Sequence, residues 1–198
     1  MNSLEKLIET FQESENICEF RMPVGEEKIV FVHDCYVKKY GKVFEFSDEE
    51  YQILTSLINK SQIPPSSYQF VAAVKAFNIS EEDISTKDLK EYRIALEEDL
   101  AAIQPDLVIP LGNLALKTLT KKSGIGNKRG KEFKVQLEDE DETCIPVVPS
   151  FHPFTLYAEP KVRGLFIQDL NNAYDKFILK LNKFDDSPYE LINGDIDK

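Results

Sequence analysis

The chain has 198 residues, 42% of them apolar and 30% charged, with a formal net charge of −11. That length suits one compact domain with a single core, and no apolar run approaches the ~18–20 residues needed to span a bilayer. Three scattered cysteines, Cys18, Cys35 and Cys144, form no Cys-x-x-Cys step; this excludes a zinc or disulfide framework and predicts a reducing compartment, the cytoplasm or, for a viral protein, the host cytoplasm.

The segment "MNSLEKLIETFQES" predicts an acidic amphipathic helix rather than a signal peptide. Four short apolar runs follow: "KIVFVH" (28–33), "YQFVAAV" (68–74), "DLVIPLG" (106–112) and "CIPVVPS" (144–150). Each is almost continuously apolar, as expected of parallel strands covered on both faces. Between them lie helical patterns. "SDEEYQILTSLINK" opens on a capping box, Ser47 with Glu50. "STKDLKEYRIALEEDLAAI" carries Leu89, Arg93 or Ile94, Leu96 and Leu100 on one stripe and stops before Pro105. "NLALKTLTKK" runs into the glycine-rich "SGIGNKRG", and a last helix over about 164–181 spaces Phe166, Leu170, Tyr174, Phe177 and Leu181 by three and four. A single domain over 1–183 and an acidic tail over 184–198 are expected.

Strands alternating with helices imply an α/β domain with right-handed crossovers. In such folds, chemistry collects in the loops after the carboxyl ends of the strands. Here those loops are "HDCYVKKYGKVF", "KAFNISEED", "GNLAL" and "SFHPFTLY", and the first and last hold both histidines. The net charge argues against general nucleic-acid binding, because phosphates are met by Lys and Arg. Yet the signs are segregated: "YVKKYGK", "KTLTKKSGIGNKRGK" and "EPKVRG" are basic, while "LEDEDET" and the tail are acidic. A basic face on an acidic body therefore stands beside the plainer reading of solvated helices and loops.

Taken in order, these strand ends resemble the uracil-DNA glycosylase superfamily over about 28–173. "PSFHPFTLYAEPKVRG" is similar to its His-Pro loop, "IQPDLVIPLGNLALKTL" to the third strand and following helix of the iron–sulfur branch, and "VFVHDCYVKKYGKVF" to the water-activating loop of another branch. The resemblance implies a three-layer α/β/α fold with a short, mostly parallel four-stranded sheet. It implies Asp34 as the residue that orients water and His152 as the one that stabilises the departing base. Tyr36, Phe44 and Ala72 fall on the base-binding positions, and Leu156 on the residue that wedges into the DNA stack. Lys38, Lys39, Lys128, Arg129, Lys161 and Arg163 are the candidate backbone contacts. Ala72 replaces an asparagine that reads the base, and Ala76 and Tyr92 stand where cluster cysteines would lie, so no iron–sulfur cluster, metal or other cofactor is expected.

Each assignment has a plainer counterpart. Asp34 suits a turn, His152 suits a backbone carbonyl, Phe44 and Tyr36 suit core or surface, and Leu156 suits a partner interface. Besides an interaction protein that retains only the fold, two functional readings stand. One is a DNA glycosylase, a hydrolase of base-excision repair with reduced or altered specificity for uracil or a modified pyrimidine. The other is a catalytically inactive glycosylase-fold module that binds DNA or serves replication as a polymerase accessory.

Overall fold

The computed structural model describes residues 28–39, 42–79, 81–137, 144–180 and 190–192. The helix expected at the N-terminus lies outside these residues, as does the tail apart from 190–192. The four expected strands are present as β1 (Ile29–Lys39), β3 (Tyr68–Phe77), β4 (Leu107–Pro110) and β6 (Cys144–Val147). They lie parallel in the order β3-β1-β4-β6. The expected count of four is too low, because three further strands extend this core. β5 (Phe133–Gln136) adds to β6 antiparallel, β7 (Glu190–Ile192) adds to β5, and β2 (Lys42–Phe44) folds back on the end of β1 to make seven.

β1 is longer than expected. The segment read as a loop after His33 continues as strand to Lys39, where Lys39 pairs with Lys42. Its residues alternate between the faces of the sheet, as a period of two requires. Val30 and Val32 enter a cluster with Tyr92, Leu96 and Leu100 of α2 (Thr86–Ile103) and with Leu114, Ala115 and Leu119 of α3 (Asn113–Thr120). Ile29 and Phe31 enter the opposite cluster, with Leu54, Leu57 and Ile58 of α1 (Asp48–Ile58), and with residues from the C-terminal helices. The domain is thus three-layered, helices on sheet on helices.

Local chemistry sets the helix starts. The Ser47 side chain accepts from the Glu50 N–H while Glu50 Oε2 accepts from the Ser47 N–H at 3.1 Å, the predicted capping box. Ser85 likewise caps α2 by accepting from the Asp88 N–H at 3.1 Å. α2 buries Leu96 and Leu100 as expected, with Leu89 packed beside them, but the turn between is filled by Tyr92 rather than Ile94, which is exposed. After α4 (Ile125–Lys128) come α5 (Pro153–Ala158) and α6 (Arg163–Ala173), which ends in a wider turn over Tyr174–Ile178. No described helix is long and apolar enough to cross a membrane.

Candidate functional site

Where β1, β4 and β6 end, hydrogen bonds continue past the regular ladder. The Leu111 N–H donates to the Val32 carbonyl at 2.8 Å, Ser150 N–H to Pro110 at 2.9 Å, and Gly112 N–H to Ser150 at 2.9 Å. These bonds bring the loop after β4 against the loop after β6. Gly112 has φ +93°, and a Cβ there would stand 2.8 Å from the Cβ of His152. Only glycine gives both this conformation and the clearance. Gly112→Ala is expected to cost at least ~1 kcal/mol in urea unfolding and to displace His152, visible as a shift of its imidazole NMR signals.

His152 caps α5. Its Nδ1 accepts from the Phe154 N–H at 3.0 Å, and a ring that accepts at Nδ1 carries its proton on Nε2. That Nε2 lies 3.4 Å from Oδ2 of Asp34. Asp34 is held from the other side, where Oδ1 accepts from the Ala115 N–H at 3.1 Å. Ala115 lies in the first turn of α3, whose N–H groups have no partners within the helix and favour a negative charge. Burial nevertheless raises the Asp34 pKa; His152 and the Ala115 N–H oppose the shift, and the carboxylates of Glu81 and Glu50 add to it. The expected pair therefore meets at the carboxyl edge of the sheet, far apart in sequence and in contact in space.

A second network fixes the loop that carries His152. The buried Ser150 hydroxyl donates to Asp169 Oδ2 at 2.8 Å, and the Arg129 guanidinium donates to Asp169 Oδ1. Gly130, with φ +68°, passes so close that a Cβ there would lie 2.7 Å from Asp169 Oδ1. Its N–H donates to the Pro149 carbonyl at 2.8 Å. The guanidinium also stands 5.3 Å from the centre of the Phe151 ring. Arg129 is therefore a brace of the loop rather than the backbone contact expected from sequence.

Two further expectations change. Leu156 is fully buried, packed among the residues between sheet and C-terminal helices, and cannot serve as a wedge. On the same short helix, Phe154 and Tyr157 are 61% and 54% exposed. Arg163 is bound inward, its Nε donating to the Leu156 carbonyl at 2.8 Å and a terminal nitrogen to Tyr157 at 3.4 Å. It closes the end of α5.

The remaining candidates are spread around the edge. Lys38 is exposed, with its Nζ 5.3 Å from the centre of the Phe77 ring, and the Lys39 ammonium lies 3.9 Å from Asp48. Lys161 is exposed, 3.4 Å from Glu159, and Lys128 is half-buried at the end of α4. Tyr36 and Ala72 are both buried and cluster with Val43; burial raises the tyrosine pKa. Phe44 is half-buried and pairs across the hairpin with Val37. Sequence reasoning passed over Phe46 and His33. Phe46 is buried with its ring centre 4.7 Å from that of His33, and His33 lies within β1, buried, not in a loop. His33 closes an apolar run, and that was the available signal that it continues the strand inward.

The positions compared with cluster cysteines carry no thiol. Ala76 and Tyr92 are buried in one apolar cluster, and an iron–sulfur group does not fit them. Among the described residues no three His, Cys, Asp or Glu side chains converge as metal ligands.

Comparison with known proteins agrees with this architecture. A DNA polymerase of Bacillus phage SP01 is 32% identical over 109 residues, which make up 54% of this chain and 11% of the polymerase. The chain thus corresponds to a small part of that relative's length. The family model for the uracil DNA glycosylase superfamily matches residues 38–177, which takes in β3, β4, β6 and the His152 loop and begins just after Asp34. With most of the chain covered by that match, and with the layered fold around it, the protein belongs to the uracil DNA glycosylase superfamily.

Proposed function

We propose that the protein engages DNA at the carboxyl edge of its sheet and hydrolyses the N-glycosidic bond of uracil or a modified pyrimidine, with weak discrimination among bases. The observation that carries this reading is the 3.4 Å contact between Asp34 Oδ2 and His152 Nε2. Excision requires a nucleotide to leave the stack, at a cost of a few kcal/mol, and to enter a pocket. As the C1′–N bond breaks, negative charge gathers on the base and positive charge on the sugar. The Nε2 proton of His152, kept on that nitrogen because Nδ1 accepts from the Phe154 N–H, can stabilise the first. The carboxylate of Asp34 can stabilise the second and orient the attacking water. Weak discrimination follows from Ala72, whose methyl packs with Tyr36 and Val43. A wall without a hydrogen-bonding group loses the large selectivity that a specific polar contact confers.

A second reading, a DNA-binding or replication-associated module that no longer cuts, is favoured by that same apolar wall and by the name of the phage relative. Oligonucleotides containing uracil or modified pyrimidines, single- and double-stranded, separate the two readings. Excision predicts abasic sites above the level given by an Asp34→Asn, His152→Ala double variant. Their absence, with binding retained, leaves the second reading. Binding itself is expected to weaken with salt and on neutralising Lys38, Lys39 and Lys161. Affinity indifferent to both changes removes DNA as the partner and leaves a protein.

A further inference from the structure

His33, the residue before Asp34, is 1% exposed and serves neither the pair nor the loop network. Its imidazole lies between two aromatic side chains, tilted 47° against Phe46 at 4.7 Å and edge-on to Tyr36 at 5.5 Å. On the neighbouring strand its register partner is Ala72, whose methyl is the smallest side chain that could stand there short of glycine. Nδ1 lies 3.2 Å from the Cys35 carbonyl, so it carries the ring proton and donates. That leaves Nε2 as an acceptor, buried and without a partner.

This is an odd way to fill a core. A buried acceptor without a donor costs stability, whereas a phenyl or leucyl side chain would occupy similar space without that cost. The ring is held by one bond at its proximal nitrogen and by aromatic contacts that any flat ring would make. We propose that His33 is an internal stand-in for a base. Its ring fills the space beside Phe46 and Tyr36 that a flipped pyrimidine occupies on its way to Asp34 and His152, and it must swing out before a nucleotide can enter. This rests on the reading of the edge as a nucleotide site and adds a closed state to it. That space is bounded by the Phe46 ring, tilted to the imidazole, by the edge-on Tyr36 ring and by the Ala72 methyl.

The test uses the full chain and free uracil as the probe, with imidazole as a second. Removing the ring in His33→Ala leaves a largely apolar cavity, and such cavities take up small flat ligands. His33→Ala is expected to bind uracil at least ~10-fold more tightly than the parent in calorimetric or ligand-observed NMR titration, while His33→Phe, which keeps a ring in place, binds none. A folded His33→Ala protein that gains no affinity for either probe overturns the proposal. If that variant does not fold, the parent decides. On titration with a uracil-containing oligonucleotide, the ¹⁵N signal of His33 Nε2 is expected to leave its unpartnered position. A uracil contact with that signal unmoved overturns the proposal. The free-base arm involves no DNA and no bond cleavage, so it succeeds or fails separately from the hydrolase reading.

Discussion

Replacing Asp169 by alanine is expected to cost ~3–5 kcal/mol of stability, although the residue lies outside the Asp34–His152 pair. Asp169 is buried on α6, and its two oxygens take the Ser150 hydroxyl and the Arg129 guanidinium. Burial raises its pKa, with the Ser150 hydrogen bond and the Arg129 contacts opposing that shift. Removing one partner of such a pair is far more costly than the pair's net worth, because the other charge remains desolvated and alone. In Asp169→Ala the Arg129 side chain, 22% exposed, would be left in that condition, and the Ser150 hydroxyl would lose its acceptor. Asp169→Asn keeps an acceptor oxygen and should cost less. Urea unfolding at neutral pH reads the difference from the midpoint, with an unchanged slope showing that the two-state comparison holds. A loss under ~1 kcal/mol in the alanine variant would mean that the network does not brace the loop carrying His152.

The pH dependence of stability should change most in His33→Phe. Burial pushes the His33 pKa down from its usual value to about 3, against a raising contribution from its hydrogen bond to Cys35 and with smaller lowering from Lys75 and His152. The unfolded chain then binds a proton near pH 6.5 that the folded chain refuses until near pH 3. Stability from the neutral ring is therefore fully present above about pH 6.5 and is lost as the pH falls toward 3, at up to ~1.4 kcal/mol per pH unit. Glu45 works in the opposite direction. Burial raises its pKa to about 7, so the folded protein holds a proton there that the unfolded chain releases above its ordinary value, and acidification through that window stabilises. The two trends offset each other in the parent. The stability difference between parent and His33→Phe cancels the Glu45 contribution and isolates the histidine. That difference should shift in favour of the phenylalanine variant as the pH is lowered from 6.5. A difference that stays flat down to pH 4 would show that the imidazole is reached by protons, and hence by water, in the folded state.

The strands of the parallel core were legible because central strands must be apolar on both faces, which leaves continuous runs such as "DLVIPLG". The starts of α1 and α2 were legible because capping uses residues adjacent in sequence. β5 was missed, although Phe133 and Val135 point inward and Lys134 and Gln136 do not, the alternation of a strand with one covered face. The pair itself was also legible, since both residues follow apolar runs that end at one edge. Leu156 was not. α5 has six residues, and the phase of so short a helix is fixed by its cap on His152 and by the helices beneath it, not by its own periodicity. Phe154, Leu156 and Tyr157 are all apolar, so composition does not choose among them. Arg129 was misread for a different reason. Its counterion lies on α6, remote in sequence, and a basic run looks the same whether it meets a phosphate or a buried aspartate.

The dispersal of the site along the chain bears on the order in which the protein folds. Asp34, Gly112, Ser150 and Asp169 meet only once β1, β4 and β6 lie side by side and α6 has docked over them. Parallel neighbours cannot be joined by a tight turn, so each pairing closes a long stretch of chain before it gains any contact. Pairings of that kind form slowly and late. A nascent or partly unfolded chain can hold the Asp34 strand, yet it lacks the support that aims His152 until the last helix is in place. The Asp34–His152 contact is thereby a property of the assembled domain rather than of any one segment of the chain.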